Sequence, residues 1–183
     1  MKKYPKITVV TPSFNQGQFI EATIQSVLGQ EYPNLEYIIC DGGSTDGTVD
    51  ILKKYDDKIA WWCSEKDKGQ SNAINKGMRR ATGDIVCWIN SDDVLLPGAL
   101  LAVAKFYSNH PDTDFANGYT VEIDKEGTII NFTHIIMSHF FFRHGCYNIS
   151  QPGMFWKRAL FGKVGYLDES FQAKMDVECR IRV

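Results

Sequence analysis

Short apolar runs alternate with amphipathic segments through the first part of the chain. The runs at 7–11, 35–40 and 85–89 are rich in Ile and Val, and their lack of alternation is typical of strands buried on both faces of a parallel sheet. Between them, residues 18–30 and 70–81 place apolar side chains at helical spacing. This alternation of strand and helix predicts an α/β fold with βαβ units and a mostly parallel sheet flanked by helices.

The pattern changes in the second half of the chain. Residues 115–124 and 128–133 flank a turn at 125–127 and predict an antiparallel hairpin. The following stretch, 134–165, is dense in aromatic residues and has no clear periodicity. It either packs as a cover over the sheet or lines a groove for an acceptor, and we favour packing because aromatic clusters are more often buried than used for binding. The length of 183 residues predicts a single domain.

Composition excludes several classes of protein. The formal net charge is -2 and the basic residues are scattered, which argues against a nucleic-acid partner. No segment approaches the roughly 20 apolar residues that span a bilayer, and the N-terminus lacks the features of a signal peptide. The five cysteines are odd in number and show no CxxC spacing. We therefore expect a reduced, cytoplasmic protein.

Two adjacent carboxylates, Asp92 and Asp93, follow the apolar run 85–89. The neutral residues Asn90 and Ser91 lie between the run and the aspartates. Like charges at the end of a buried strand repel unless a cation or backbone donors lie beside them. Mg²⁺ and Mn²⁺ bind carboxylate oxygens and share their other positions with substrate phosphates, so the pair predicts a metal and a phosphate-bearing ligand. The alternative, equally weighted on these residues alone, is that the aspartates cap a helix beginning at Pro97.

The ends of the predicted strands decide between these interpretations. Parallel sheets bind ligands at the carboxyl ends of their strands, near a switch in strand order. Residues 11–15, Asp41 and residues 90–93 should therefore gather at one edge, which favours a ligand site over helix capping. Asp41 either hydrogen-bonds a ribose or a base edge, or is a turn residue stabilised by the glycines that follow it.

Other familiar sites are disfavoured by spacing. Neither glycine-rich loop matches the dinucleotide or Walker phosphate-binding pattern. His134, His139 and His144 do not share a helical face and have no cysteine pair beside them, which argues against zinc. In the acidic final stretch, a partly desolvated carboxylate would suit the role of a base toward an alcohol. A solvated helix face is the alternative there, and spacing alone favours it.

Four stretches of the chain, in order, resemble family-2 glycosyltransferases of the GT-A type: VVTPSFNQGQFIEATIQSVLGQ, IICDGGSTDGTVDIL, EKDKGQSNAINKGMRRATGDIVCWINSDD and QPGMFWKRALFGKVGYLDESFQAKMD. The resemblance runs from Ile7 to the last residue. It implies a GT-A, Rossmann-like fold over residues 1–183, with a nucleotide-sugar-binding half at 1–110 and an acceptor-side half at 111–183. It also implies a nucleotide-sugar donor, a divalent metal (Mn²⁺ or Mg²⁺) and inverting transfer to an acceptor hydroxyl.

The resemblance assigns roles to the nucleotide-binding positions. Pro12 and Phe14 would lie against the nucleotide, and Asp41 would hydrogen-bond the base. Many family members have two aspartates before the GST sequence, whereas here Gly42 follows Asp41, so fewer contacts to the base are expected.

The resemblance also implies a metal site and a catalytic base. Asn90-Ser91-Asp92-Asp93 stands at the DxD-type motif of the family, with Asp93 as the main metal ligand and Asp92 holding the ribose or metal-bound waters. Asn90, in place of the first acid, leaves the metal with less ligand charge. Asp176 matches the acidic residue that the family uses as the base. Because the chain ends soon afterwards, we expect the acceptor-side half to be truncated.

The sequence thus predicts a cytoplasmic glycosyltransferase that adds one sugar to a surface-polysaccharide or lipid-linked precursor. The aromatic run Phe140-Phe141-Phe142 suggests a peripheral contact with the inner face of a membrane. A processive synthase is disfavoured, because its QxxRW motif and membrane spans are absent from this sequence. A nucleotidyltransferase and a catalytically inactive nucleotide-sugar-binding domain are the alternatives.

Overall fold

A computed structural model of the chain describes residues 4–124, 126–133, 151–171 and 174–182. The described strands are β1 Ile7–Ser13, β2 Leu35–Asp41, β3 Trp61–Ser64, β4 Ile85–Trp88, β5 Phe115–Asn117, β6 Thr120–Ile123, β7 Ile129–Thr133 and β8 Met154–Lys157. The described α-helices are α1 Ile20–Leu28, α2 Thr48–Lys54, α3 Gln70–Arg80, α4 Ala99–Asn109, α5 Arg158–Val164 and α6 Met175–Ile181. The predicted alternation of strand and helix in the first half is confirmed.

The main sheet has six strands in the order β3-β2-β1-β4-β8-β5. The first four pair in parallel, while β8 lies antiparallel between β4 and β5. The chain adds β2 and β3 on one side of β1 and then crosses to place β4 on the other side. The strand order therefore switches at β1, and the crevice at the carboxyl ends of β1 and β4 is where such sheets bind ligands.

Helices cover both faces of the sheet. Successive residues of β1 alternate between two cores: Val9 packs in the cluster that includes α1, α2 and α4, and Val10 packs in the cluster that includes α3, α5 and α6. Both residues are fully buried, as expected for a central strand whose apolar run has no polar face. The α/β prediction of a mostly parallel sheet with flanking helices is thus confirmed.

Helix α3 packs closely on β1 through a glycine. A Cβ atom on Gly77 would overlap the Cγ1 atom of Val10, so the helix approaches the strand where no side chain intervenes. This contact fixes the position of α3, and the first residue of that helix, Gln70, lines the cleft described below.

The second half of the chain differs from the prediction in one arm of the hairpin. The hairpin forms between β6 and β7, as predicted, but residues 115–117 leave its first arm and pair with β8 in the main sheet. The described part of the aromatic stretch contributes both β8 in the sheet and α5 on one of its faces, and its side chains Phe155, Trp156 and Phe161 are buried, as expected for packing. Its Trp156 ring stacks on Trp88 of β4, with ring centroids 4.6 Å apart.

The helix-capping alternative for the two aspartates is wrong. Helix α4 begins at Ala99 and not at Pro97, and its cap residue is Gly98, whose backbone is left-handed at φ 79°. No side chain caps this helix. Asp92 and Asp93 therefore belong to the turn that follows β4. The predicted division of the chain at residue 110 stays a prediction.

Candidate functional site

A cleft of about 290 Å³ opens at the carboxyl ends of β1 and β4. Of the three strand ends predicted to gather at this edge, residues 11–15 and 90–93 contribute to the cleft, whereas Asp41 is not among its lining residues. Its lining residues in the described part of the chain are Pro12, Ser13, Phe14, Gln16, Asp67, Gln70, Ala73, Asn90, Ser91 and Asp92. The structure thus brings together five of the predicted site residues, since Pro12, Phe14, Asn90, Ser91 and Asp92 share this cleft.

Asn90 is the hydrogen-bonding centre of the turn after β4. Its Oδ1 accepts from Gln70 Nε2 at 2.8 Å, and its Nδ2 lies 3.1 Å from Asp93 Oδ2 and 3.2 Å from Gln151 Oε1. Gln151 in turn donates to the carbonyl of Trp88 at 2.8 Å. A neutral amide can accept on one side and donate on the other, which an aspartate cannot do. Asn90 therefore joins α3, the aspartate turn and the segment before β8.

Side chains of helix α1 hold the same turn by hydrogen bonds to its backbone. The Thr23 hydroxyl, fully buried, lies 2.9 Å from the Ser91 carbonyl and 2.8 Å from the Asp93 carbonyl. Ser26 Oγ also accepts from the Leu95 amide at 3.0 Å. Backbone groups that are bonded in this way keep the turn in one conformation. The side chains of the two aspartates are consequently presented from a fixed backbone.

The electrostatics of Asp93 suit a cation. Burial, with a further contribution from the neighbouring Asp92 carboxylate, raises the pKa of Asp93 to about 6. A positive charge beside this group would favour its ionised form and so oppose both effects. The described residues contain no group of three or more His, Cys, Asp or Glu that could enclose a metal. Mg²⁺ or Mn²⁺ that shares its ligands with substrate phosphates needs only one or two carboxylates. Asp92 lines the cleft, and Asp93 is next to it in the turn but is not among the lining residues, so the pair suits such an ion with Asp92 on the cleft side.

Asp41 is engaged within its own turn. Its Oδ2 accepts from the amides of Gly43 and Ser44 at 3.1 and 2.9 Å and from Ser64 Oγ at 2.6 Å. Its Oδ1 accepts from Ser44 Oγ at 2.5 Å, and the residue is 1% exposed. The carboxylate thus stabilises the glycine-rich turn and joins β2 to β3. It does not line the cleft, and its hydrogen bond to a base stays a prediction.

Asp176 lies half-buried in the first turn of α6 and is not among the residues that line the cleft. The segment before α6 is held against α3. Asn75, 1% exposed, donates to the Leu167 carbonyl at 2.8 Å and accepts from the Leu167 amide at 3.0 Å. Glu169 accepts from Asn72 and Asn75 at 2.9 Å each. The chain segment that leads to Asp176 is therefore anchored on the helix whose first residue reaches the cleft.

Five cleft residues were not predicted individually: Ser13, which falls within the predicted segment 11–15, and Gln16, Asp67, Gln70 and Ala73. The rule that ligands bind at the carboxyl ends of parallel strands carries a signal for the first four. Ser13 ends β1, and Asp67 and Gln70 follow β3. The loop after β3 falls under this rule because β3 is parallel to its neighbour β2.

Two groups of predicted residues cannot be located in the structure. His134, His139 and His144 and the run Phe140-Phe141-Phe142 lie outside the described residues. In the described part of the chain, no helix has the length and apolar character needed to cross a membrane.

Sequence relatives share the glycosyltransferase assignment. The chain is 45% identical over 133 residues to TuaG of Bacillus subtilis, a glycosyltransferase assigned to teichuronic acid biosynthesis, and the match covers 71% of this chain and 53% of TuaG. It is 33% identical over 129 residues to the GalNAc(5)-diNAcBac-PP-undecaprenol beta-1,3-glucosyltransferase of Campylobacter jejuni, covering 68% of this chain and 41% of the relative. The chain thus spans about half the length of these curated relatives.

Solved structures share the fold. TarS of S. aureus superposes with a TM-score of 0.77 at 20% identity, covering 97% of this chain and 33% of TarS. The mannosyltransferase PcManGT of Pyrobaculum calidifontis, solved with GDP-Man and Mn²⁺, gives a TM-score of 0.72 at 21% identity, covering 97% of this chain and 51% of that one. The predicted GT-A fold is thereby confirmed.

The family model described as glycosyl transferase family 2 matches residues 8–163, which include β1, the aspartate turn and β8. This match confirms the resemblance inferred from the sequence motifs. The chain therefore belongs to glycosyl transferase family 2.

Proposed function

We propose that this domain transfers a sugar, with inversion and with Mn²⁺ or Mg²⁺, from a nucleoside-diphosphate sugar to a hydroxyl of a glycan or lipid-linked acceptor in surface-polysaccharide synthesis. The observation that carries the proposal is the cleft at the switch in strand order, where the end of β1 faces the aspartate turn. We place the enzyme in the cytoplasm, at the inner face of the membrane.

The cleft offers two kinds of surface to a donor. Pro12 and the 60% exposed Phe14 provide apolar and aromatic surface, which suits a nucleobase. Asn90, Ser91 and Asp92 provide oxygen and amide groups, which suit a ribose and the surroundings of a diphosphate. The lining thus combines the two kinds of surface that a nucleotide sugar requires.

Asp92 and Asp93 would hold the divalent cation. When bound, such an ion stabilises the negative charge that develops on a nucleoside-diphosphate leaving group. The neighbour PcManGT, which was solved with GDP-Man and Mn²⁺, supports this assignment. Asn90, by donating to Asp93, keeps that carboxylate in place while adding no charge of its own.

Asp176 would act as the base. Inversion needs one displacement, so a single carboxylate that accepts the proton of the attacking hydroxyl suffices, and no carboxylic acid is needed to protonate the leaving oxygen. The anchoring of residues 167–171 on α3 supports a position of α6 close to the cleft, because Ser71 Oγ donates to the Phe171 carbonyl next to the cleft residue Gln70. The C. jejuni relative, whose name includes an undecaprenol diphosphate, supports a lipid-linked acceptor.

Calorimetry with UDP, GDP and dTDP sugars, each with and without Mn²⁺, tests donor binding. We expect one nucleotide class to bind, and to bind at least about tenfold more tightly when the cation is present, because charge-assisted contacts to the diphosphate are then completed. Equal affinity for the nucleotide sugar with and without Mn²⁺, or no binding at all, would count against a metal-dependent transferase.

Asp176→Asn tests the base. We expect turnover to fall by about 10³-fold or more while donor affinity changes by less than twofold, since a base acts mainly in the transition state. Glu178→Gln, two residues along the same helix, serves as the matched control and should keep turnover near that of the wild type. If the Asp176→Asn variant turns over normally, Asp176 has no role as base; if the wild type binds donor but never transfers, the domain only binds nucleotide sugars.

A further inference from the structure

Asp67 is a cleft carboxylate with no assigned role. It lies in the loop between β3 and α3, half-buried, and its Oδ1 accepts from the Gly69 amide at 2.8 Å. Its Oδ2 lies over Gly42: a Cβ atom on residue 42 would be only 2.7 Å from it. Asp67 therefore occupies the space that any side chain at position 42 would enter.

This arrangement determines which carboxylate is available to bind the nucleobase of the donor. The turn after β2 offers Asp41, whose Oδ2 already accepts three hydrogen bonds, and Gly42, which has no side chain. Among the described residues that line the cleft, the carboxylates are Asp67 and Asp92. Asp92 belongs to the turn assigned to the cation, so Asp67, which lies against Gly42 in the turn after β2, is the cleft carboxylate left for the nucleobase.

Unpartnered polar atoms lie in the wall beside Asp67. Ser13 is 5% exposed, and its Oγ has no hydrogen-bond partner among the described residues. Gln16 Oε1 is also buried and has no hydrogen-bond partner among the described residues. Buried polar groups without partners are rare in proteins, and a ligand that supplies partners would relieve them. Both residues line the cleft.

We propose that Asp67 selects the nucleobase of the donor by accepting a hydrogen bond from a ring N–H group. This inference rests on the proposed function. A carboxylate accepts hydrogen bonds and donates none. Uracil, thymine and guanine carry an N–H group at the central position of their pairing edge, whereas cytosine and adenine carry a bare nitrogen with a lone pair there. Asp67 thus favours the first three bases and repels the other two.

The test compares matched nucleotides by calorimetry with Mn²⁺ present: UDP against CDP, and GDP against ADP. In at least one pair, the wild type should bind the nucleotide with the N–H group roughly tenfold or more tightly than the other. A nucleobase without that hydrogen-bond donor leaves the carboxylate of Asp67 unpaired. Asp67→Asn should lower the affinity for that nucleotide by about tenfold. It should also reduce the ratio of affinities within the pair to less than about threefold, since the amide can donate to the bare nitrogen of the other base.

Two further variants make the result specific. Asp67→Asn keeps an Oδ1 acceptor for the Gly69 amide, so the loop is retained, and its melting temperature is measured as a check on folding. Gly42→Ala should displace Asp67 Oδ2 and lower affinity for the same nucleotide, without removing the acid. Asp57→Asn, at an exposed residue before β3 and therefore at the opposite edge of the sheet, is the control and should match the wild type.

The outcomes separate this inference from the function on which it rests. If the wild type binds none of the four nucleotides and no dTDP sugar either, the proposed function fails, and the role of Asp67 fails with it. If a nucleotide binds but both Asp67→Asn and Gly42→Ala keep its affinity and the ratio within its pair, nucleotide binding stands and the role of Asp67 is overturned. A wild type that prefers CDP or ADP overturns it as well.

Discussion

Glu36, at the start of β2, shows how a single carboxylate can join three segments of the sheet. Its oxygens accept from Lys6 Nζ at 2.8 Å, from Thr8 Oγ1 at 2.5 Å, and from the amide and hydroxyl of Thr82 at 2.7 and 2.6 Å. Its side chain is 11% exposed. Burial alone would raise the pKa of Glu36, but these donors outweigh it and lower the pKa to about 2.

Glu36→Gln should therefore destabilise the protein in a pH-dependent way. The folded pKa lies below the unfolded value, so the ionised carboxylate contributes stability above about pH 4.5, and this contribution is lost as the pH falls toward 2. We expect the substitution to lower the free energy of unfolding at pH 7 by about 2 kcal/mol and to have little effect near pH 2.

Urea unfolding of the wild type and the variant at several pH values measures this difference. Glu31→Gln, at an exposed residue, is the control, and its difference from the wild type should be small at every pH. An equal loss of stability for Glu36→Gln at pH 7 and pH 2 would show that shape, not charge, accounts for its effect.

At the scale of the elements, the close contact of α3 with β1 positions one wall of the cleft. Gly77→Ala should destabilise the protein by about 1 to 3 kcal/mol, because the added methyl group would overlap Val10 and force the helix outward. The outward shift should also weaken nucleotide binding, since Gln70 in the first turn of α3 holds Asn90.

Gly162→Ala is a matched control for that substitution. Gly162 lies inside α5, and a Cβ atom there would meet nothing within 4 Å. The same chemical change should be neutral or stabilise by about 0.5 to 1 kcal/mol, because alanine favours helix over glycine. Thermal unfolding of both variants checks the pair, and a similar loss in each would refute the role of close packing at Gly77.

At the scale of the whole molecule, the docking of residues 167–169 on α3 depends on Asn75. Asn75→Ala would leave the buried amide and carbonyl of Leu167 without their partner, at a cost of about 2 to 4 kcal/mol to that contact. Because α6 follows this segment, we expect turnover to fall by at least about tenfold while donor affinity changes little, as for loss of an interaction made only in the transition state.

Limited proteolysis and single-turnover kinetics test this docking. Cleavage after residue 165 should be faster in Asn75→Ala than in the wild type, because local opening becomes easier. Asn109→Ala, at the exposed end of α4, should behave as the wild type. Unchanged cleavage together with unchanged turnover would separate the Asn75 contacts from the position of α6.

Much of the fold and part of the cleft could be predicted because they depend on local patterns. The apolar runs identify β1, β2 and β4, and the rule for parallel strand ends places Phe14 and Asp92 in one cleft. Strand β8 could not be predicted in the same way. Its Trp156 is paired with Trp88, which lies far away in the sequence, so no local periodicity carries that contact.

The details of the cleft depend on how loops meet. Nothing in the sequence around Asp41 states that Ser64 and the turn amides engage its carboxylate. Nor does the sequence around Gly42 show that Asp67, from another loop, fills the space above it. These features follow from the register of β2 and β3, which a one-dimensional pattern does not contain.

The place of β8 in the sheet has a consequence for synthesis of the protein. While the chain grows, the four parallel strands are complete well before β8 leaves the ribosome, and until then β4 presents an open edge and the uncovered Trp88 ring to its surroundings. Such an edge invites pairing with other nascent chains. The newly made chain should thus depend on chaperones until Lys157 emerges, and slower growth at low temperature should raise its soluble yield.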